Sequence, residues 1–125
     1  MLKGSCNCKG VTFTVTQPET ATACHCGQCR KQSGHHWASG HMPETDFEIT
    51  GEVRWYESSD IAKRGFCPTC GSFLFWKRKD EDSMSFSLGL IDSPTNLTLN
   101  RHIFTADKGD YYEIADDAPQ REHYK

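Results

Sequence analysis

The stretch Cys24-His25-Cys26-Gly27-Gln28-Cys29 places three thiols within six residues. The other cysteines also come in close pairs, Cys6-Asn7-Cys8 near the start of the chain and Cys67-Pro68-Thr69-Cys70 in its second half. Pairs one or two residues apart let a tight turn present two thiolates to one zinc ion, which takes four tetrahedral ligands. The cysteines therefore predict that metal ions hold this fold together.

One C-x-C pair and one C-x-x-C pair together supply the four ligands of a closed site. The spacing therefore favours a structural zinc on Cys6, Cys8, Cys67 and Cys70. The remaining cysteines, Cys24, Cys26 and Cys29, then predict a second zinc with one coordination position open to water or substrate. The alternative is a closed second site whose fourth ligand is a histidine, taken from His25, His35, His36, His41 or His102.

Two other arrangements of the cysteines are open. The pair Cys26 and Cys29 could join Cys67 and Cys70 around one ion, which the stoichiometry also allows. Disulfides are the second alternative, but neighbours one residue apart would close a small, strained ring that is easily reduced.

Length and charge limit the remaining classes of protein. The 125 residues predict a single domain over residues 1–125, with a loose polar tail from about residue 116. A net charge of -3 disfavours nucleic-acid partners. The chain shows no signal peptide and no apolar run long enough to span a membrane, so we expect a cytoplasmic protein with reduced thiols.

Apolar and polar residues alternate with period two in Val11–Thr16, the pattern of a strand with one buried face. A short helical turn is expected after Cys29, stopped by Gly34. The chain therefore predicts a mainly β fold of short strands, with further strands expected at 47–50, 53–58, 62–66, 72–77 and 84–90, an extended return at 97–104 and a segment at 111–114.

The chemistry of an open three-thiolate zinc follows from its charge. Three thiolates leave the ion a weaker Lewis acid than three neutral imidazoles would, which disfavours hydrolysis. A soft incoming thiol suits such a site, because zinc coordination holds it as a thiolate nucleophile. A zinc deaminase is excluded, since a cysteine stands where its catalytic glutamate would be. The expected partner is therefore a small-molecule thiol.

Several motifs together closely resemble the glutathione-dependent formaldehyde-activating enzyme family, also called the GFA or CENP-V/GFA domain. The similarity runs from Gly4 to about Pro119. The motifs are Gly4–Val11, Cys24–Lys31, Arg64–Ser72, Gly89–Asp92 and His102–Phe104.

The resemblance implies the family's β-tent fold of short strands around two zinc ions. It also implies that Cys6, Cys8, Cys67 and Cys70 hold the structural zinc, and that Cys24, Cys26 and Cys29 hold the catalytic one. The implied activity is the condensation of glutathione with formaldehyde to S-(hydroxymethyl)glutathione, a carbon-sulfur lyase reaction. The rival function is a zinc-stabilised binding or chaperone-like module without turnover.

Basic and aromatic residues beside the zinc motifs are candidates for substrate binding. Arg30, Lys31 and Arg64 could bind the carboxylates of glutathione, and Trp37 could line the pocket. Their alternatives are solvated charges for Arg30 and Lys31, a surface ion pair for Arg64 and a core position for Trp37. No general acid or base is assigned, and the sequence leaves the oligomeric state open.

Overall fold

The computed structural model describes residues 1–125 and is built mainly from short strands, which confirms the predicted mainly β fold. No helix has the length and apolar character needed to cross a bilayer. The strands are β1 (Leu2–Ser5), β2 (Thr12–Val15), β3 (Thr22–Cys24), β4 (Trp37–Pro43), β5 (Phe47–Thr50), β6 (Arg54–Glu57), β7 (Ala62–Phe66), β8 (Phe73–Arg78), β9 (Ser83–Ser87) and β10 (Arg101–Ile103). Helix α1 covers Gly27–Ser33, and 3₁₀ turns lie at Glu44–Asp46, Leu88–Leu90 and Thr105–Asp107.

The strands form two sheets. The smaller sheet has the order β1-β2-β5, and the larger has seven strands in the order β10-β3-β4-β9-β8-β7-β6. All neighbouring strands are antiparallel except β10 and β3, which run parallel with Ile103 opposite Cys24. This pairing brings a late segment of the chain beside the first residue of the Cys24–Cys29 motif.

The main core lies between the two sheets. Phe13 from the smaller sheet contacts Phe75 and Phe86 from the larger one, with ring centroids 5.2 and 6.2 Å apart. All three rings are buried, and the edge-on geometry is one that aromatic pairs favour. A second, smaller cluster of buried residues comprises Cys24, Cys29, Trp37 and Phe73.

The predicted strands and the observed ones differ in several places. Strands β1, β3 and β4 were not expected, and the segment predicted at 84–90 ends as a strand at Ser87 before a 3₁₀ turn. Of the extended segment predicted at 97–104, only β10 forms a strand, and residues 111–114 form no strand. Strand β4 contains Gly40 and ends at Pro43, so pairing with β3 and β9 outweighs its weak local preference.

Residues 119–123, within the polar tail expected from about residue 116, make backbone hydrogen bonds to the rest of the fold. His102 N–H donates to the Pro119 carbonyl over 2.9 Å, and Arg121 N–H donates back to the His102 carbonyl over 2.9 Å. Phe104 N–H similarly donates to the His123 carbonyl over 3.1 Å. Backbone groups make these bonds, which is why polar side chains gave no sign of them.

Candidate metal centres and active site

Four thiols from the start and the middle of the sequence meet in one group. The sulfur atoms of Cys6, Cys8, Cys67 and Cys70 all lie within 4.8 Å of one another. The Cys6–Cys8 sulfur distance is 3.6 Å and the Cys8–Cys67 distance is 3.7 Å. The arrangement that joined Cys67 and Cys70 to the middle cysteines is therefore wrong, because Cys6 and Cys8 occupy those places.

The four-cysteine group fits a tetrahedral zinc ion. Zinc–sulfur bonds of about 2.3 Å imply sulfur–sulfur separations of about 3.8 Å in a regular tetrahedron, close to the observed distances. Backbone amides also face the sulfurs: Val11 N–H donates to Cys6 Sγ over 3.3 Å, and Cys70 N–H donates to Cys67 Sγ over 3.5 Å. Such donors stabilise thiolates.

The second group is formed by Cys24, Cys26 and Cys29, whose sulfurs also lie within 4.8 Å of one another. Strand β3 ends at Cys24, Cys26 caps the amino end of α1, and Cys29 sits in its first turn. The Cys26 sulfur accepts a hydrogen bond from Cys29 N–H over 3.3 Å. One strand end and one helical turn therefore direct three thiols to a single point.

No histidine or carboxylate atom joins this three-cysteine group within that distance. Soft sulfur donors in this number suit zinc, with a fourth coordination position left to a ligand from outside the chain. His41 lies elsewhere, with its ring bonded to Ser83 and Ser85. His35 is exposed and bonds the Tyr111 hydroxyl over 2.8 Å.

The ring of His25 takes part in a hydrogen-bond chain and is not among the three sulfur donors. Its Nε2 lies 2.9 Å from Nδ1 of His102, whose Nε2 is 3.0 Å from both carboxylate oxygens of Asp116. A carboxylate only accepts, so with neutral imidazoles His102 Nε2 donates to Asp116 and His25 Nε2 donates to His102. His25 Nδ1 then accepts from the Tyr112 hydroxyl. These hydrogen bonds fix the tautomers of His25 and His102.

Burial and proton sharing shift the pKa values around this group. Burial, followed by neighbouring positive charge, lowers the pKa of His25 to about 4, so its ring stays neutral at pH 7. Hydrogen bonds among the three sulfurs lower the pKa of Cys26 and raise that of Cys24. These hydrogen bonds favour the thiolate form at Cys26, and the thiolate is the form that binds metal.

Two open clefts flank helix α1. The larger, of about 580 Å³, reaches Cys26 and is lined by Cys26, Gly27, Gln28, Arg30, Phe104, Ala106, Asp107 and Lys108. The smaller, of about 320 Å³, is lined by Gln28, Lys31, Gln32, Tyr56, Ser58 and Arg64. The larger cleft gives a small molecule a route to the least buried thiol of the group.

The predicted substrate residues occupy different environments. Arg30 lines the larger cleft, where its Nε donates to the Asp107 carbonyl over 3.1 Å. Arg64 is 4% exposed rather than a surface residue. Trp37 is 6% exposed, stacks on Phe73 with ring centroids 4.4 Å apart, and lines neither cleft. Sequence reasoning did not identify Lys108 or Phe104 as lining residues, since neither lies in a cysteine motif.

Known proteins are similar to this chain in sequence and in fold. Residues 1–107 match the model of a family described as "Glutathione-dependent formaldehyde-activating enzyme". A protein of Schizosaccharomyces pombe described as an uncharacterized lyase is 28% identical over 123 residues, covering 90% of this chain and 85% of its own. A crystal structure of a Rhodobacter sphaeroides protein, 20% identical, has a TM-score of 0.61 and covers 94% of this chain and 98% of its own. That likeness concerns the fold.

Proposed function

The chain belongs to the glutathione-dependent formaldehyde-activating enzyme family, and we propose that it is a zinc-dependent lyase acting on the carbon-sulfur bond of a thiol adduct. Glutathione and formaldehyde are the proposed substrates, with S-(hydroxymethyl)glutathione as the product. The observation that carries the proposal is the three-cysteine group without a fourth protein ligand, opening onto a cleft at Cys26.

Different residues of the chain would bind the metal and the substrate in such a reaction. Cys24, Cys26 and Cys29 would hold the ion, and zinc bound there would supply a soft Lewis acid that favours a thiolate as fourth ligand. The larger cleft would seat the thiol, with Arg30 as the donor to a substrate carboxylate. The buried positions of Arg64 and Trp37 offer a substrate less contact than Arg30 does.

The bond changes of the proposed reaction balance without any oxidant or reductant. The thiol sulfur forms a bond to the carbonyl carbon, the carbon-oxygen π bond breaks, and the thiol proton ends on the carbonyl oxygen. Cleavage of the adduct reverses each change. The same three cysteines would serve in both directions, because they act only on the sulfur. Thiolate ligands also favour a reducing compartment, so we propose the cytoplasm as the location.

Cys26→Ser tests the proposal because it removes the thiol that opens onto the larger cleft. The rate of S-(hydroxymethyl)glutathione formation would be followed by NMR, with zinc content measured on the same samples. The wild type should bind two zinc ions and exceed the spontaneous rate, whereas Cys26→Ser should keep one ion and lose the acceleration. Ser58→Ala, in the smaller cleft, serves as the control and should behave as the wild type does.

Equal rates for the wild type and Cys26→Ser would contradict the proposal. A wild type that holds two ions equally tightly, and leaves the rate at its spontaneous value, would favour the zinc-stabilised binding module instead. Chelator challenge distinguishes the two functions, because an exchangeable fourth ligand should make the three-cysteine ion the first to leave.

A further inference from the structure

Arg64 is a buried cation without an acidic partner. It lies on β7, is 4% exposed, and takes part in no salt bridge of the protein. Its Nη1 donates to the sulfur of Cys29 over 3.6 Å, and its guanidinium lies 5.5 Å from the ring centre of Phe73. A buried charge is strongly disfavoured unless an opposite charge compensates it. The group that can supply negative charge at hydrogen-bond distance is the Cys29 sulfur of the three-cysteine group.

We propose that Arg64 is the built-in counter-ion of the three-cysteine metal centre. Three thiolates around a divalent ion carry a net charge of about -1, which one guanidinium neutralises. By hydrogen bonding Cys29, Arg64 withdraws negative charge from one ligand of the ion. The metal then attracts an incoming thiolate more strongly, although Arg64 itself does not touch that ligand. Arg64 is therefore a positioning residue.

The four-cysteine group shows the contrast. Its sulfurs accept hydrogen bonds from the backbone N–H groups of Val11 and Cys70. The Cys70 sulfur also lies 3.2 Å from the Ser72 hydroxyl oxygen. All of these neighbouring groups are neutral. No arginine or lysine is hydrogen bonded to those sulfurs. A charged donor is thus reserved for the group that lacks a fourth protein ligand.

This assignment gives Arg64 a role other than binding a substrate carboxylate. Its Nε is buried and has no hydrogen-bond partner, and its Nη1 is committed to Cys29. The inference rests on the metal-binding part of the proposed function and not on the identity of the substrate. A thiol without a carboxylate therefore separates the two roles.

The test replaces zinc with cobalt(II), whose spectrum reports thiolate ligation, and uses 2-mercaptoethanol as the thiol. The difference spectrum between the wild type and Cys26→Ser isolates the three-cysteine centre. Arg64→Met removes the charge at similar length, Arg64→Lys keeps it, and Arg54→Met changes an exposed arginine on the neighbouring strand β6 as the control.

In Arg64→Met, the affinity of the cobalt centre for 2-mercaptoethanol at fixed pH should fall by about tenfold or more, since an opposite charge within about 4–6 Å shifts a pKa by about 1–3 units. The sulfur-to-cobalt charge-transfer band should move to lower energy, because Cys29 then keeps its full charge. Arg64→Lys should recover most of the affinity, and Arg54→Met should match the wild type.

An unchanged affinity and band position in Arg64→Met would overturn the counter-ion assignment while leaving the proposed function standing. A wild type that binds only one cobalt ion would overturn both. If Arg64→Met does not fold, as judged by loss of the four-cysteine cobalt spectrum, Arg64→Gln is measured instead. That neutral variant retains an amide donor and should show the same weakening.

Discussion

The hydroxyl of Ser87 links the packing of the three-cysteine group to the large sheet. Trp37 Nε1 donates to Ser87 Oγ over 2.7 Å, and Ser87 Oγ donates to the Phe73 carbonyl over 2.6 Å. All three residues are buried, and Trp37 and Phe73 pack in the same cluster as Cys24 and Cys29. Ser87→Ala would leave an indole N–H and a carbonyl without this partner.

The expected cost follows from these two groups. A buried donor or acceptor that loses its partner costs about 1–3 kcal/mol, so two of them predict a loss of about 2–6 kcal/mol in the free energy of unfolding. The stacking of Trp37 on Phe73 restricts how far either group can move to a new partner. We therefore expect little relaxation.

Urea unfolding at a fixed free zinc concentration measures this loss, which should appear without a change in the m-value. The control is Ser83→Ala, whose hydroxyl bonds the exposed His41 and should change stability by less than about 0.5 kcal/mol. In a Trp37→Phe background, Ser87→Ala should cost about 1–3 kcal/mol less, because one donor is already gone. A loss from Ser87→Ala no larger than that of the control would refute the reasoning.

Two further predictions concern the sheet and the pH dependence of stability. Gly40→Ala would place a Cβ atom 2.7 Å from Phe86 Cζ, so overpacking should lower the free energy of unfolding by about 1–3 kcal/mol in the same urea assay; no loss would mean that the ring moves aside freely. Burial, then the nearby His35, lowers the pKa of His36 below 6.5, so the stability due to its neutral form is complete above pH 6.5 and is lost as the pH falls below it. His36→Gln should therefore flatten the decline in stability between pH 7 and 5 relative to the wild type, and parallel declines would contradict this.

Cysteine spacing favoured the observed division of the thiols, because each pair is local, but the count of four ligands also allowed the grouping of Cys26 and Cys29 with Cys67 and Cys70. The period-two pattern located β2, and β propensity between turn-forming residues located β5 and β7, in each case to within a residue or two. In both cases the deciding interaction is either local in sequence or repeated on one face of a strand.

Features that depend on distant contacts were not predictable in this way. Strand β3 has three residues and owes its place to pairing with β4 and β10. The hydrogen bonds of His25 reach partners 77 and 87 positions away, so no spacing rule connects them. The burial of Arg64 is equally hidden, since a charged residue on a short strand is ordinarily exposed.

The family match ends at residue 107, yet the hydrogen-bonded structure continues well beyond it. Tyr112 and Asp116 are the two ends of the hydrogen-bond chain that runs through His25 and His102, and the last residues pair with the backbone around His102. A truncation placed at the limit of the family match would leave two interior imidazoles without their outer partners, next to the loop that carries three thiols. The segment matched by the family model is thus shorter than the hydrogen-bonded unit that surrounds the candidate three-cysteine metal centre.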